Sequence, residues 1–301
     1  MGGDPNEGTR RVEIGDELAA ALVREQHPDL AALEIGRRYV FDDHLTVRLG
    51  DDLCLNLPTV PDLGEAMTSA AEWLDLVSDE WSFPSGIPIR LGEPSTDYPF
   101  PWQISRWIPG SNAAILPFTE EAVAPLGIAL REVHTTAPAW APVSTEAGTP
   151  LSRQRKAWHE LTALLRDAIG PRGNRADPAL LSVRWEKAVD TVIDSPSQWT
   201  HGDLDPRYVV SNRGLFGGIG SWWTLGAGDP AADIAAAFLL IHRDDEAAFL
   251  EAYGPVSRAT RERIAGYWLL RVLRYATSSN PFLWRLGWAR LDEMILLGDL
   301  D

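Results

Sequence analysis

Three short segments stand in a fixed order along this chain, and that order constrains its fold more than any other feature. Tyr98-Pro99-Phe100-Pro101-Trp102-Gln103-Ile104-Ser105-Arg106-Trp107 comes first. His201-Gly202-Asp203 comes second, and Gly226-Ala227-Gly228-Asp229-Pro230-Ala231-Ala232-Asp233 third. Each alone is a weak signal; the three in sequence specify one arrangement. Periodicity shows which elements carry them. Alternation of Leu53, Leu55 and Leu57 after the Gly50-Asp51-Asp52 turn predicts two paired strands between 41 and 58. The breaker-rich stretch 84–94 holds one more strand. Leu126, Leu130 and Val133 have helical spacing within 122–136. Further helices are expected near 15–26, 64–77, 151–169, 177–193, 230–242, 244–253, 258–278 and 283–297, and residues 2–11 read as a loose polar opening.

The loop His201-Gly202-Asp203-Leu204-Asp205-Pro206-Arg207-Tyr208 resembles the H-G-D-x-x-x-x-N catalytic loop of the aminoglycoside and macrolide phosphotransferases. The third segment is similar to that family's G-x-G-D-P-x-x-D-L-A. The first resembles its strand and hinge between lobes, and Leu130-Arg131-Glu132-Val133-His134 the end of the helix that follows. The resemblance runs over 41–297 and implies an α+β, protein-kinase-like bilobal fold. On that pattern a small N-terminal sheet lobe spans 1–100, a hinge 101–110, and a mainly helical C-terminal lobe 111–301 carries the H-G-D loop and the substrate pocket.

What the resemblance implies for chemistry turns on four positions. In the family the H-G-D Asp accepts the substrate hydroxyl proton, which gives that role to Asp203; the loop Asn and a later Asp hold Mg²⁺. Here Tyr208 stands at the Asn, and Ser221, within Gly217-Gly218-Ile219-Gly220-Ser221-Trp222, stands at the Asp. A phenol does not replace a carboxamide as a hard-cation ligand. Phe41 takes the small residue of the phosphate turn, where glycine lets backbone approach phosphate closely. Asn56 takes the phosphate-pairing cation and brings no charge. Ala70 falls where a Glu would orient that cation, with Glu72 two residues on. Losing one preorganised contact costs roughly 10²–10³ in rate, and general-base help returns only about 10²–10⁴. The chain therefore reads as a degenerate member without the ATP–Mg²⁺ machinery, using no cofactor and no metal. A rearranged metal site on Asp203, Asp205 or Asp229 is the exception left open.

Three functions follow. The leading reading is non-phosphoryl acid/base chemistry, such as cyclisation, isomerisation or dehydration, on a small natural-product-like ligand. Asp203, Asp205 and Tyr208 would be catalytic, and Ser221, Trp222, Trp223, Trp268 and Trp284 would line the pocket. One alternative is a non-catalytic pseudokinase that binds a small molecule or a partner enzyme. The other is a weak ATP-dependent antibiotic phosphotransferase. Trp268 with Ile264 and Val272, and Trp284 with Trp288 and Leu291, fit helical core equally well. Trp222 and Trp223 fit simple infill of an abandoned metal site. His201 and Asp229 are expected to support the catalytic loop structurally, with Asp233 one helical turn on, and His44 reads as an exposed turn residue.

Charge narrows the partners. With 27 Lys and Arg against 43 Asp and Glu, the net charge is −16, the wrong sign for nucleic acid or an anionic membrane. It suits an apolar or cationic organic ligand. No apolar run reaches the ~18–20 residues of a membrane helix. The single cysteine, Cys54, fits a reducing, cytoplasmic setting and reads as a small core residue.

Overall fold

The computed structural model describes residues 14–296; the opening at 2–11 lies outside the described residues. The chain forms two compact units. One is Met1–Pro109 with Gly218–Thr224, and the other is Gly110–Gly217 with Leu225–Asp301. The contiguous division at 101–110 does not anticipate the return of Gly218–Thr224 to the first unit.

The first unit is built on a five-stranded antiparallel sheet. In chain order its elements are α1 (Asp16–Gln26), β1 (Ile35–Val40), β2 (His44–Leu49), β3 (Leu53–Pro58), α2 (Pro61–Val77), β4 (Pro88–Gly92) and β5 (Trp102–Arg106), with the strands arranged β1-β2-β3-β5-β4. Side chains alternate between faces along a strand. Leu45, Val47, Leu49, Leu55, Leu57, Trp102 and Ile104 share one face and form a core with Ala19, Leu22 and Val23 of α1. The intervening residues Thr46, Cys54, Asn56, Gln103 and Ser105 are also buried, on the other face. Burial pushes the Cys54 thiol up to about 12, as expected of an inert core residue. Trp102–Arg106, inside the stretch expected to contain the hinge, is a full strand of this sheet because Trp102 and Ile104 belong to its core.

The second unit is mainly helical, giving the α+β class expected. It contains β6 (Ser111–Asn112), α3 (Val123–Val133), α4 (Arg155–Asp167), α5 (Pro178–Val189), β7 (Gln198–Thr200) and β8 (Val209–Asn212). Then come β9 (Leu215–Ile219), whose last residues pass into the first unit, β10 (Gly226–Gly228), α6 (Ala231–Ala237), α7 (Glu246–Tyr253), α8 (Arg258–Ala276) and α9 (Pro281–Leu296). Helix α8 is the hub, packing against α4, α5, α6 and α9. Ser257 starts it by accepting the Thr260 N–H at 2.9 Å. At Gly287 of α9 a Cβ would sit 2.2 Å from the Ala276 nitrogen, so the close approach of these helices requires glycine.

Two helices stop earlier than periodicity suggests. Helix α3 ends at Val133 because His134 leaves helical geometry, and α6 tightens into i→i+3 turns after Ala237. Among the described residues no helix is long and apolar enough to cross a membrane.

Candidate functional site

In the second unit, β7 pairs antiparallel with β10, and the H-G-D loop leaves the end of β7. Asp233, in α6, fixes the start of that loop. Its carboxylate accepts the backbone N–H of His201 at 2.6 Å, that of Gly202 at 3.2 Å, and His134 Nε2 at 3.2 Å. The other ring nitrogen of His134, Nδ1, lies 2.8 Å from the Tyr253 hydroxyl. Burial alone would raise Asp233, but the hydrogen bond from His134 and the charges of His134 and His201 outweigh it and hold the carboxyl below its usual range. Asp229, read from the sequence as loop support, caps α6 through the Ala231 N–H at 3.1 Å. It also pairs with buried Arg263 of α8, Nε to Oδ2 at 2.6 Å. His201 is buried and stacks on Tyr208, centroids 6.4 Å apart.

Both loop carboxylates ahead of Tyr208 are held by guanidinium groups. Asp203 Oδ1 accepts from Arg271 Nη1 at 2.9 Å; the side chain of Asp203 is 37% exposed and that of Arg271 11%. Arg271 also donates to the Leu204 carbonyl at 3.2 Å, tying the loop to α8. Asp205 is buried, with Arg207 Nε at 2.7 Å and the Tyr275 hydroxyl at 2.8 Å. Burial would raise Asp205, yet the Arg207 hydrogen bond and charge hold it low. The phenol of Tyr208 lies buried between His201 and the Arg207 guanidinium, 5.7 Å from its centroid. Arg271, Arg263, Tyr275 and His134 are the site residues that sequence reasoning missed. For the three on α8 the signal is a polar stripe, Arg263, Tyr267, Arg271 and Arg274-Tyr275, repeating at helical spacing along the helix.

The first unit holds the remaining predicted positions. Phe41 stacks on His44, centroids 4.2 Å apart and planes 6° apart. His44 is buried rather than exposed. The ring packs into the sheet's second face, with Nδ1 2.7 Å from Asp43 Oδ1 and its edge toward Trp223 at 4.9 Å. Asn56 accepts from Thr46 Oγ1 at 2.9 Å and donates to Ser105 Oγ at 3.1 Å, and Gln103 donates to the same hydroxyl at 3.2 Å. Arg48 braces the β2–β3 turn through the Gly50 and Asp51 carbonyls and lies over Trp107 at 4.5 Å. Ala70 is buried in α2, and Glu72 is exposed.

The segment Gly218–Thr224 is a packed turn. Gly218 has φ 142°, and a Cβ there would lie 2.1 Å from the Pro84 carbonyl oxygen. Ser221 is left-handed at φ 62°, a conformation uncommon for a residue with a Cβ. Trp222 donates to the Ile219 carbonyl at 3.0 Å and lies on Trp81, centroids 4.4 Å apart. Helix α2 packs against the Trp222–Thr224 turn. Trp268 of α8 lines a cavity of about 210 Å³ within the second unit; Trp284 is partly buried on α9 outside that lining.

The Tyr208 ring is enclosed, Ser221 offers one hydroxyl, and the Asn56 amide is engaged on both sides by neutral partners. Among the described residues no group of three His, Cys, Asp or Glu is placed to hold a metal ion.

The chain matches the model of the phosphotransferase enzyme family, APH, over residues 41–267. No curated protein matches it in sequence. Among solved structures it is similar to aminoglycoside 2'-phosphotransferase-IIIa in its GDP complex, with 16% identity and TM-score 0.65 over 93% of this chain and 98% of that one. Macrolide 2'-phosphotransferase type I gives 17% identity and TM-score 0.58 over 91% and 96%. Aminoglycoside phosphotransferase APH(3'')-Id from Streptomyces rimosus gives 18% and 0.58 over 87% and 99%. The chain therefore belongs to the APH phosphotransferase enzyme family and has its kinase-like fold.

Proposed function

We propose that this chain is a phosphotransferase-fold protein that binds a small organic molecule and does not transfer phosphate from ATP. The observation that supports this reading is the state of the two metal-ligand positions, Tyr208 enclosed by His201 and Arg207 and Ser221 in a packed left-handed turn. Phosphoryl transfer is positioning and electrostatic stabilisation, and without metal and cation little of it remains. Related aminoglycoside phosphotransferases have been solved with kanamycin and with streptomycin. The net charge of −16 favours a cationic or neutral ligand here as well. Calorimetry and thermal melting with millimolar ATP and Mg²⁺ test the reading. Neither heat nor a shift in melting temperature is expected. Micromolar affinity overturns it, since ligand at 100 times Kd adds about 2.7 kcal/mol of stability.

One observation favours a second reading, acid/base chemistry without ATP. The Asp203 side chain reaches solvent while its partner Arg271 is nearly buried behind it. On this reading Asp203 moves a substrate proton and Arg271 positions it, in an isomerisation, dehydration or cyclisation. Asp203→Asn then lowers turnover at least about tenfold with the melting temperature unchanged. Unaltered turnover removes this second reading.

A further inference from the structure

A second place in the molecule is organised for a ligand, on a side of α8 away from Asp203. Arg263 and Arg271 leave α8 toward Asp229 and the H-G-D loop, and Tyr267 toward the Thr149 carbonyl. Arg261, Ala265 and Trp268 lie on another side of the same helix, facing the cavity of about 210 Å³. That is below the roughly 300–1,000 Å³ of drug-sized pockets, so its occupant is small. The apolar part of the wall includes Phe238, Trp268 and Met294.

The charged part is unusual in so acidic a chain. Arg184, Arg243, Arg261 and Arg290 line the cavity against Glu246 and Glu293 only. Glu293 is already committed to Arg290, its carboxylate 2.7 Å from Nη1. Arg290 is held in place by donating Nη2 to the carbonyls of Leu239 at 2.9 Å and Ile241 at 3.0 Å. Its Nε is buried with no hydrogen-bond partner among the described residues. Arg184 and Arg261 form no ion pair among the described residues, although Glu262 beside them takes Lys187 and Arg258. Burial pushes the Glu246 carboxyl upward despite Arg243 and Arg290, which weakens the one remaining source of negative charge. A preformed guanidinium beside apolar and aromatic walls, with cations in excess, is the chemistry that receives a carboxylate on a flat apolar body.

We infer that the cavity bounded by α5, α7, α8 and α9 binds a small organic anion, an aromatic or similarly compact carboxylate. This site is separate from the catalytic-loop region and does not depend on whether the chain turns over ATP.

Phenylacetate is the probe, with phenylacetamide as its neutral isostere, followed by ligand-observed NMR and calorimetry on the full chain. Phenylacetate is expected to bind saturably, about tenfold or more tighter than the amide. Ala265→Trp, which fills the cavity, is expected to remove binding while the melting temperature stays near the parent value. Because Arg290 also anchors two backbone carbonyls, the exposed Arg261→Gln serves as the charge variant and is expected to weaken phenylacetate several-fold but not the amide. No saturable phenylacetate binding, equal affinity for the amide, or binding that survives Ala265→Trp overturns the assignment.

Discussion

Asp233→Asn should be among the most damaging conservative substitutions in the second unit. The carboxylate accepts from three donors, the N–H groups of His201 and Gly202 and His134 Nε2. All three partners and Asp233 itself are buried, so water does not take over. An asparagine with its oxygen at the Oδ2 position keeps the His201 and His134 contacts but turns its NH₂ toward the Gly202 N–H, which leaves two buried donors unpaired, that N–H and the new amide itself. At about 1–3 kcal/mol for each orphaned buried donor, the expected loss is about 2–6 kcal/mol, against a total stability of about 5–15. Urea denaturation followed by circular dichroism measures it. The effect also has a pH signature. The folded Asp233 carboxyl lies below its ordinary value, because the His134 hydrogen bond and nearby histidines outweigh burial. Its contribution is fully present above the unfolded value of about 3.9 and is lost as pH falls through the lower folded value. The stability gap between parent and variant should therefore narrow below about pH 4. A loss under 1 kcal/mol at neutral pH, or a gap that does not narrow in acid, would refute the assignment of Asp233 as the loop's anchor.

Much of the fold was legible because it rests on local periodicity. Leu53, Leu55 and Leu57 announce a strand whose core face faces α1, and the helical spacing of Leu126, Leu130 and Val133 places α3 within a few residues. Partners distant in sequence were not legible. Asn56 reads as a missing charge in a one-dimensional pattern, but its contacts are Thr46 across one strand and Ser105 across another. The polar stripe of α8 is masked in the sequence by the apolar spacing of Ile264, Trp268 and Val272 on the same helix. Yet the stripe supplies Arg263 to Asp229 and Arg271 to Asp203. His44 shows the same limit from the other direction: a turn position suggests exposure, whereas stacking with Phe41 and contact with Trp223 bury it.

Two further substitutions test the first unit. Ser221→Gly removes the Cβ from a left-handed residue and should stabilise by about 0.5–1 kcal/mol, seen as a rise in melting temperature; a fall contradicts strain at that turn. Asn56→Lys puts a charge where the resemblance leads one to expect the phosphate-pairing cation, and asks whether the surroundings accept it. The position is buried, its neighbours Thr46, Ser105 and Gln103 are neutral, and Glu72 is exposed. An unpaired ammonium in such a place loses about 3–5 kcal/mol, or titrates well below the ordinary lysine value of about 10.4. The sign then follows from linkage. With the folded value depressed, the penalty is complete below it and fades as pH rises toward 10.4. The variant should melt well below the parent at pH 7 and approach it in alkali. A lysine variant as stable as the parent at neutral pH, and stabilised further by ATP and Mg²⁺, would mean that the charge site is intact and that Asn56 alone had silenced it.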